Sequence, residues 1–295
     1  MKIVGRFAPS PSGPLHFGSL IAALGSYFSA KSKGGDWLVR MEDIDPPREM
    51  EGAAELILKA LETYHLFWDG EVLYQSHRHN AYQQQIDQWL QTGQAYYCQC
   101  TRRQIKESGG FYAGTCRNKG LSDPDNCSVR IKIEKPILTF DDIKHGQMSI
   151  PSGLAAEDFI IKRRDGLFAY NLAVVLDDIY QGVTEVVRGA DLIEPTGRQI
   201  SLYNILEQEP VHYLHLPLAM DSNGNKLSKQ NHATAIDLKE PAPTLIRAMA
   251  FLGFQMPADV QSAEISEIIN WGVKNWSLRQ LPEEIKITSP FANGI

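Results

Sequence analysis

Arg6-Phe7-Ala8-Pro9-Ser10-Pro11-Ser12-Gly13-Pro14-Leu15-His16-Phe17-Gly18-Ser19 is the stretch on which the reading of this chain turns. Residues 2–8 have the pattern of a buried strand that Pro9 and Pro11 bring to an end, since proline has no N–H to give to a ladder. Gly13 and Pro14 make a turn. From His16 to about Lys33, the residues Leu20, Ala23, Leu24, Tyr27 and Phe28 recur on a helical period. This order puts the loop at the carboxyl end of a strand, where open α/β sheets bind ligands. The start of the following helix presents unpaired N–H groups and the positive end of its dipole to a phosphate. Gly18 lets an adenine or ribose approach the backbone closely, and His16 is placed to donate to a phosphate oxygen.

A second stretch, Lys226-Leu227-Ser228-Lys229-Gln230, follows the turn Asp221-Ser222-Asn223-Gly224-Asn225. Ammonium groups on such a loop neutralise a departing pyrophosphate, and loss of one contact of this kind typically costs on the order of 10²–10³ in rate. Each stretch alone has a plain alternative, because His-x-Gly is common and a Lys/Ser loop is usually only solvated. Together, in this order and with α/β sequence between them, they predict a nucleotide held for the adenylation of a carboxylate. His16, Lys226 and Lys229 are then the catalytic candidates, and His16, Gly18, Ser19 and Lys229 the ATP-binding ones.

Working outward, residues 37–41 read as a second strand and 49–64 as a helix with Ala53, Leu56, Ile57, Ala60 and Leu61 on one face. Residues 77–92 read as another helix, stopped by Gly93. Strands alternating with helices imply a mostly parallel sheet covered by helices on both faces. The pattern breaks at 95–127, rich in Gly, Arg and Asn, and residues 129–133 and 138–140 read as strands of an inserted subdomain. It resumes at 159–162 and 167–176, with strands at 183–188 and 213–219 and a helix at 196–206. Beyond about 240 the pattern is helical, with pieces at 244–252 and 262–271, and no internal repeat is visible.

The chain has 295 residues, 43% hydrophobic and 22% charged, an ordinary globular composition with enough length for one large domain plus a smaller one and a sizeable core. A net charge of −6 lends no support to nucleic-acid binding, although a local basic groove holds phosphates on acidic proteins too. No apolar h-region follows Met1 and no run of about eighteen apolar residues occurs, so the expectation is a cytoplasmic chain without signal peptide or membrane span. Cys98, Cys100, Cys116 and Cys127 fall in one short window. A disulfide scaffold would spread them along the chain, so a metal site is the better reading. A structural zinc takes four ligands, and spacing nominates Cys127 as the fourth. Free thiols without metal are the alternative, and His77 and His79 read as helix-surface residues.

Residues 6–19 resemble the first ATP signature of the class I aminoacyl-tRNA synthetases of the glutamyl group, and residues 226–230 resemble the second. Arg40-Met-Glu-Asp-Ile-Asp-Pro-Pro-Arg48 and Gly182-Val-Thr-Glu-Val-Val-Arg-Gly-Ala-Asp191 are further hallmarks, so the resemblance runs from about residue 4 to 240. Ser19 stands where the first signature usually has a second His, and Gln230 where the second usually has Ser. Both departures resemble the glutamyl-Q subgroup. Val174 stands where discriminating glutamyl enzymes usually have Asn, which implies a slacker pocket.

The resemblance implies glutamate contacts at Arg6, Phe7, Ala8, Pro9, Ser10, Glu42, Tyr170 and Arg188. The chemistry of these residue types agrees. An arginine fork makes two parallel hydrogen bonds to a carboxylate and rejects the amide of glutamine. Glu42 suits the α-ammonium, and Tyr170 has a hydroxyl to donate. Ion pairing at strand ends is the plain alternative for Glu42 and Arg188. For the thiols, the resemblance implies Cys98, Cys100, Tyr112 and Cys116 around one structural Zn²⁺, with a phenolate oxygen in place of Cys127. It also implies ATP with Mg²⁺ as substrate.

Residues 231–295 are expected to hold two or three helices, too little for the anticodon-reading region of glutamyl-tRNA synthetases. The expected fold is therefore α/β, a Rossmann-like doubly wound parallel sheet with an inserted zinc-bearing subdomain and a short helical C-terminal region. The expected division is a first catalytic half at 1–94, a zinc-bearing acceptor-binding insert at 95–155, a second catalytic half with the second ATP signature at 156–240, and a stem-like helical region at 241–295. The implied acceptor is queuosine at the wobble position of tRNA(Asp), with Arg102, Arg103 and Arg117 as candidate phosphate contacts. The chain is expected to act as a monomer. The rival readings are a 3′-end glutamyl-tRNA synthetase of reduced size, a non-catalytic paralogue that binds glutamate or adenylate, and a small-molecule nucleotidyltransferase of the same superfamily. Residues 6–10 and Glu42 argue against the last.

Overall fold

The computed structural model describes residues 2–122, 125–221, 224–226 and 234–288. The chain opens with β1 (Val4–Phe7), α1 (Phe17–Ser32), β2 (Asp36–Met41), α2 (Ala53–Thr63) and β3 (Leu73–Tyr74), whose strands form a parallel sheet in the order β1-β2-β3. Then follow α3 (His79–Gln91), β4 (Ala95–Cys98), α4 (Arg102–Glu107), β5 (Ser128–Ile131), β6 (Thr139–Asp142), β7 (Gly146–Ser149), α5 (Ser152–Ala155) and β8 (Ile160–Lys162). The remaining elements are α6 (Tyr170–Tyr180), β9 (Glu185–Gly189), α7 (Ile193–Ile205), β10 (His212–Leu216), β11 (Leu218–Met220), α8 (Pro241–Phe251), α9 (Ala258–Gln261), α10 (Ile265–Asn275) and β12 (Lys286–Thr288).

A second sheet runs β7-β6-β10-β9, parallel except for β7. It meets the first at Thr184, whose N–H donates to the Val4 carbonyl at 2.9 Å while its Oγ1 accepts from the Val4 N–H at 2.9 Å. At this seam the chain order reverses: β1 leads outward to β2, and β9 leads the other way to β10. A ligand crevice opens at the carboxyl ends of the strands at such a reversal. Side chains alternate across β1. A Cβ on Gly5 would meet Ala30 of α1 at 3.1 Å, while the neighbouring Arg6 bonds to Asp178 of α6. Helices therefore cover both faces, with one core around Leu20, Leu24, Phe28 and Trp37 and another around Tyr82, Leu172, Val175 and Leu202.

Strand pairing departs from the sequence expectation in three places. Residues 138–140 were expected in the insert, but β6 pairs parallel with β10 and belongs to the sheet that carries β9. Residues 159–162 were expected to resume the α/β alternation, but β8 pairs antiparallel with β5, which itself pairs with β4. The expected strand over 213–219 is two strands, because Pro217 interrupts the ladder, and β11 turns away to pair with β12. Among the described residues the C-terminal region thus includes a strand, not helices alone.

Gly25 sets how closely α1, the helix behind the first ATP stretch, approaches β10: a Cβ there would lie 2.4 Å from Leu216 Cδ1. Gly25→Val is expected to lower unfolding stability by about 1–3 kcal/mol through overpacking. Urea denaturation checks this, and an unchanged midpoint would mean that α1 has room to spare.

Candidate active site

The ends of β1, β2 and β9 and the first turn of α6 bring Arg6, Glu42, Tyr170 and Arg188 into one electrostatic neighbourhood. Arg6 is buried and donates from Nε to Asp178 Oδ1 at 3.2 Å. Arg40, fully buried, donates from Nη2 to the same oxygen at 2.6 Å, and from Nε to Gln181 Oε1 at 2.8 Å. Burial alone would push Asp178 towards protonation, but Arg6 and Arg40 outweigh it and hold the carboxyl below its usual range. Burial likewise opposes the charge on Arg6, and Asp178, Tyr170 and Glu42 together outweigh it. Among the described residues Arg6 hydrogen-bonds only through Nε, which leaves its Nη edge uncommitted.

Arg188 is held differently. Its Nη1 donates to Gln199 Oε1 at 2.8 Å, its Nη2 to Thr196 Oγ1 at 2.7 Å and the Leu192 carbonyl at 3.2 Å, and its Nε to His215 Nε2 at 3.2 Å. The guanidinium also lies 4.9 Å from the centre of the Tyr213 ring. The ion-pair alternative fails for Arg188, which has no carboxylate partner among the described residues. A guanidinium has five N–H donors. Most of these are committed, so Arg188 offers a ligand its charge more than a free fork. The two-pronged grip expected of both arginines is open at Arg6.

Glu42 is half-buried just beyond β2, and its N–H donates to the Pro9 carbonyl at 3.0 Å. Burial pushes its carboxyl up to about 7, against the pull of Arg40 and Arg6. Burial also raises the Tyr170 hydroxyl, with Arg188 pulling it back. Ser12 N–H donates to the Ser10 carbonyl at 2.8 Å and Met50 N–H to the Pro11 carbonyl at 2.9 Å, which ties the loop after β1 to the segment after β2. Phe7 is buried and stacks on Trp37 with ring centres 6.2 Å apart, so its side chain belongs to the core. Val174 is fully buried too, and its carbonyl accepts from Arg40 Nη1 at 3.4 Å.

At the start of α1, His16 caps the helix, with Nδ1 accepting from the Ser19 N–H at 3.3 Å. Gly18 lies in the first turn of that helix. His16 bridges to Ala235, and the Ile236 N–H donates to the Leu15 carbonyl at 3.0 Å. Upstream, Lys226 Nζ meets Asp191 Oδ2 at 2.5 Å. Residues 235–236 thus lie beside the end of the first ATP stretch's loop. Lys229, with the rest of 227–230, lies outside the described residues.

The sulfurs of Cys98, Cys100 and Cys116 lie within 4.8 Å of one another, and Cys100 and Cys116 are 3.5 Å apart. A tetrahedral zinc with Zn–S of about 2.3 Å separates sulfurs by roughly 3.8 Å, so the donor set fits. Tyr112 lies against the same group: its hydroxyl oxygen accepts from the Cys116 N–H at 2.7 Å and is a hydrogen-bond neighbour of Cys98. Cys127 is buried but is not one of the clustered thiols. Of the candidate phosphate contacts, Arg117 is committed to Asp158 at 2.5 Å, and Arg103 forms a loose exposed pair with Glu107 at 3.7 Å.

The family described as tRNA synthetases class I (E and Q), catalytic domain, matches residues 2–280. This chain belongs to that family. Among curated relatives, a glutamyl-Q tRNA(Asp) synthetase of Vibrio vulnificus is 71% identical over 294 residues, covering 100% of this chain and 96% of that protein. One of Escherichia coli is 55% identical over 291 residues, covering 99% and 94%. Among solved structures, a glutamate tRNA ligase of Elizabethkingia meningosepticum in complex with its amino acid superposes with a TM-score of 0.79 at 25% identity, covering 99% of this chain and 68% of that one. The fold is accordingly the α/β fold of class I synthetases, built on a parallel sheet.

Sequence reading missed the residues that hold the arginines of this synthetase fold. Asp177 and Asp178 sit inside the apolar run Leu172 to Ile179, and His215 inside Tyr-Leu-His-Leu; all three are buried. A charge or imidazole in the middle of an apolar element is itself a signal, because burial requires a partner. Among the described residues no helix is long and apolar enough to cross a membrane.

Glu42 gives a pH test. In the unfolded chain a glutamate titrates near 4.3, whereas folded Glu42 titrates at about 7. The folded state therefore holds the extra proton between these values, and the stability this confers is full below about 4.3 and lost as pH rises to about 7. Glu42→Gln is expected to raise stability relative to the parent at pH 8 and to leave it unchanged at pH 4. Equal differences at both pH values in urea titrations would contradict this.

Proposed function

We propose that this chain activates L-glutamate with ATP, giving glutamyl-adenylate and pyrophosphate, and transfers the glutamyl group to queuosine at the wobble position of tRNA(Asp). The observation that carries the reading is the pair of buried arginines on either side of the β1/β9 seam, one with an open Nη edge and the other without a counter-ion. Such a site suits an anion that enters with its charge and rejects a neutral amide. Similarity to glutamyl-Q tRNA(Asp) synthetases at 71% over the whole chain supports the choice of acceptor.

In this reading Arg6 and Arg188 would hold glutamate carboxylate, Tyr170 would donate its hydroxyl, and Glu42 would face the α-ammonium, whose arrival favours the ionised form. The backbone of Ala8, Pro9 and Ser10 would line the same space. The α-carboxylate attacks the α-phosphate of ATP, and the bond to pyrophosphate breaks. His16, with Nδ1 engaged by Ser19, would meet the phosphates through Nε2, and Lys226 and Lys229 would follow the charge onto the leaving group. Mg²⁺ arriving with ATP supplies further neutralisation of the phosphates. A hydroxyl of the queuosine ring then attacks the acyl carbon and AMP leaves. No enzyme side chain need become covalently attached, so positioning and electrostatics carry the rate. The enzyme would work as a monomer in the cytoplasm.

Cys98, Cys100, Tyr112 and Cys116 would hold one structural Zn²⁺ that organises the β4-β5-β8 lobe, the part we assign to the tRNA. Elemental analysis of purified protein is expected to give one zinc per chain, falling to near zero in Cys116→Ser and unchanged in Cys127→Ser. Loss of zinc in the Cys127 variant would move the fourth ligand from Tyr112 to Cys127.

The deciding assay offers labelled glutamate and ATP to tRNA(Asp) with and without queuosine. Label is expected only on the queuosine-containing tRNA. Label at the 3′ end of unmodified tRNA(Glu) would support the glutamyl-tRNA synthetase reading instead.

A further inference from the structure

Three neighbouring strands carry polar residues in a row at their carboxyl ends. Asp142 ends β6, His215 lies in β10 and Arg188 in β9, and His215 and Arg188 are direct register partners. All three are buried, His215 completely. Asp142 Oδ2 lies 2.8 Å from His215 Nδ1 and accepts the His215 backbone N–H at 3.0 Å. Its Oδ1 accepts the backbone N–H groups of Lys144 at 2.9 Å and His145 at 3.0 Å. On the other side, Arg188 Nε donates to His215 Nε2 at 3.2 Å.

The chemistry of the partners fixes the state of the imidazole. Arginine only donates, so His215 Nε2 must be the bare, accepting nitrogen. The proton then sits on Nδ1 and is given to Asp142. Thr196 Oγ1 also lies 3.4 Å from Nε2, but its one hydroxyl proton goes to the nearer Leu192 carbonyl at 2.9 Å and its oxygen accepts from Arg188. A proton added at Nε2 would turn an acceptor into a donor aimed at a donor and set two cations side by side.

We propose that Asp142 and His215 are positioning residues for Arg188: the carboxylate acts as its counter-ion at one remove, through a neutral imidazole, and so fixes the guanidinium without occupying the face that meets the substrate. A direct carboxylate would quench the charge needed for an anionic ligand. The imidazole passes on orientation while leaving the charge available. This inference rests on the reading that Arg188 holds a carboxylate of glutamate.

Acid should then weaken glutamate binding selectively. The ionisable groups around His215 are Asp142 from β6, His145 from the turn after it, Arg188 from β9 and Tyr213 from its own strand. Burial lowers the imidazole below its ordinary range, and Arg188 and His145 add to this, so protonation falls on the acid side of about 6.5. Glu42 titrates in the same region and is common to all the variants below, so ratios of variant to parent isolate His215.

The test measures glutamate-dependent ATP–pyrophosphate exchange between pH 5 and 8 on the full chain. In Asp142→Asn the amide donates to Nδ1, which moves the imidazole proton to Nε2 against Arg188. The expected result is a rise in KM for glutamate of about 10- to 100-fold, with KM for ATP within about two-fold. In His215→Gln the amide oxygen accepts from Arg188 without titrating. The expected result is a KM within several-fold of the parent at pH 8 and a parent-to-variant KM ratio that climbs below about pH 6.5. An unchanged glutamate KM in Asp142→Asn, or a flat ratio across pH, would overturn the proposal. Should either variant fold poorly, ¹⁵N shifts of His215 in the unmodified protein decide: a protonated Nδ1 and bare Nε2 support it, and the opposite tautomer overturns it. Arg188→Ala separates the two levels. If that change leaves glutamate KM unaltered, the glutamate reading of Arg188 fails; if it raises KM while Asp142→Asn does not, only the positioning role fails.

Discussion

The Asp178 carboxylate is the constraint on which the rest depends. One oxygen accepts from Arg6 at 3.2 Å and Arg40 at 2.6 Å, and so joins β1 and β2 to α6 inside the protein. Removing one partner of a buried ion pair leaves an uncompensated charge and typically costs about 3–5 kcal/mol. Its neighbour Asp177 faces another way and accepts from Gln75 at 2.9 Å, Arg78 at 3.1 Å and Tyr82 at 2.5 Å. Two adjacent residues of one helix thus pin the first sheet and the segment leading into α3. The helix could not shift without stranding several buried charges at once.

This arrangement leaves a net positive charge at the carboxyl ends of the central strands. One carboxylate serves two guanidiniums, and Arg188 across the seam is surrounded by neutral partners. Glu42, the acid beside Arg6 and Arg40, is pushed up to about 7 by burial, so the approach of a cation favours its ionised form. In the proposed reading the site would take a zwitterion with an extra negative group, carboxylate towards the arginines and ammonium towards Glu42. A neutral side chain in the same place would leave buried donors and charge unanswered, which is how a polar site discriminates.

Much of the fold was legible because its signals are local. Residues 2–8, with two prolines behind them and an apolar helical stripe after, gave strand, loop and helix directly, whereas the place of β1 at the seam comes only from its bonds to Thr184. The short strands escaped: β3 has two residues, and β7 is largely exposed and carries no apolar alternation. The partners of β6 and β8 could not be read, because both are brief strands whose pairing is decided by distant elements. The same division holds in the site. Arg6, Glu42, Tyr170 and Arg188 stand in motifs, but the residues that orient them, Asp178, Gln199, His215 and Asp142, come from four separate elements and meet only when the sheet closes. For the thiols, spacing alone favoured Cys127; only folding brings Tyr112 to the cluster.

Glutamate-dependent ATP–pyrophosphate exchange on the purified chain, compared with glutamine and aspartate at equal concentration, probes the central claim most directly. The account predicts exchange with glutamate and little with either analogue, since the amide lacks the charge for the two arginines and the acid shorter by one methylene places its two carboxylates closer together. Exchange that is absent with glutamate, or equally fast with glutamine, would contradict it.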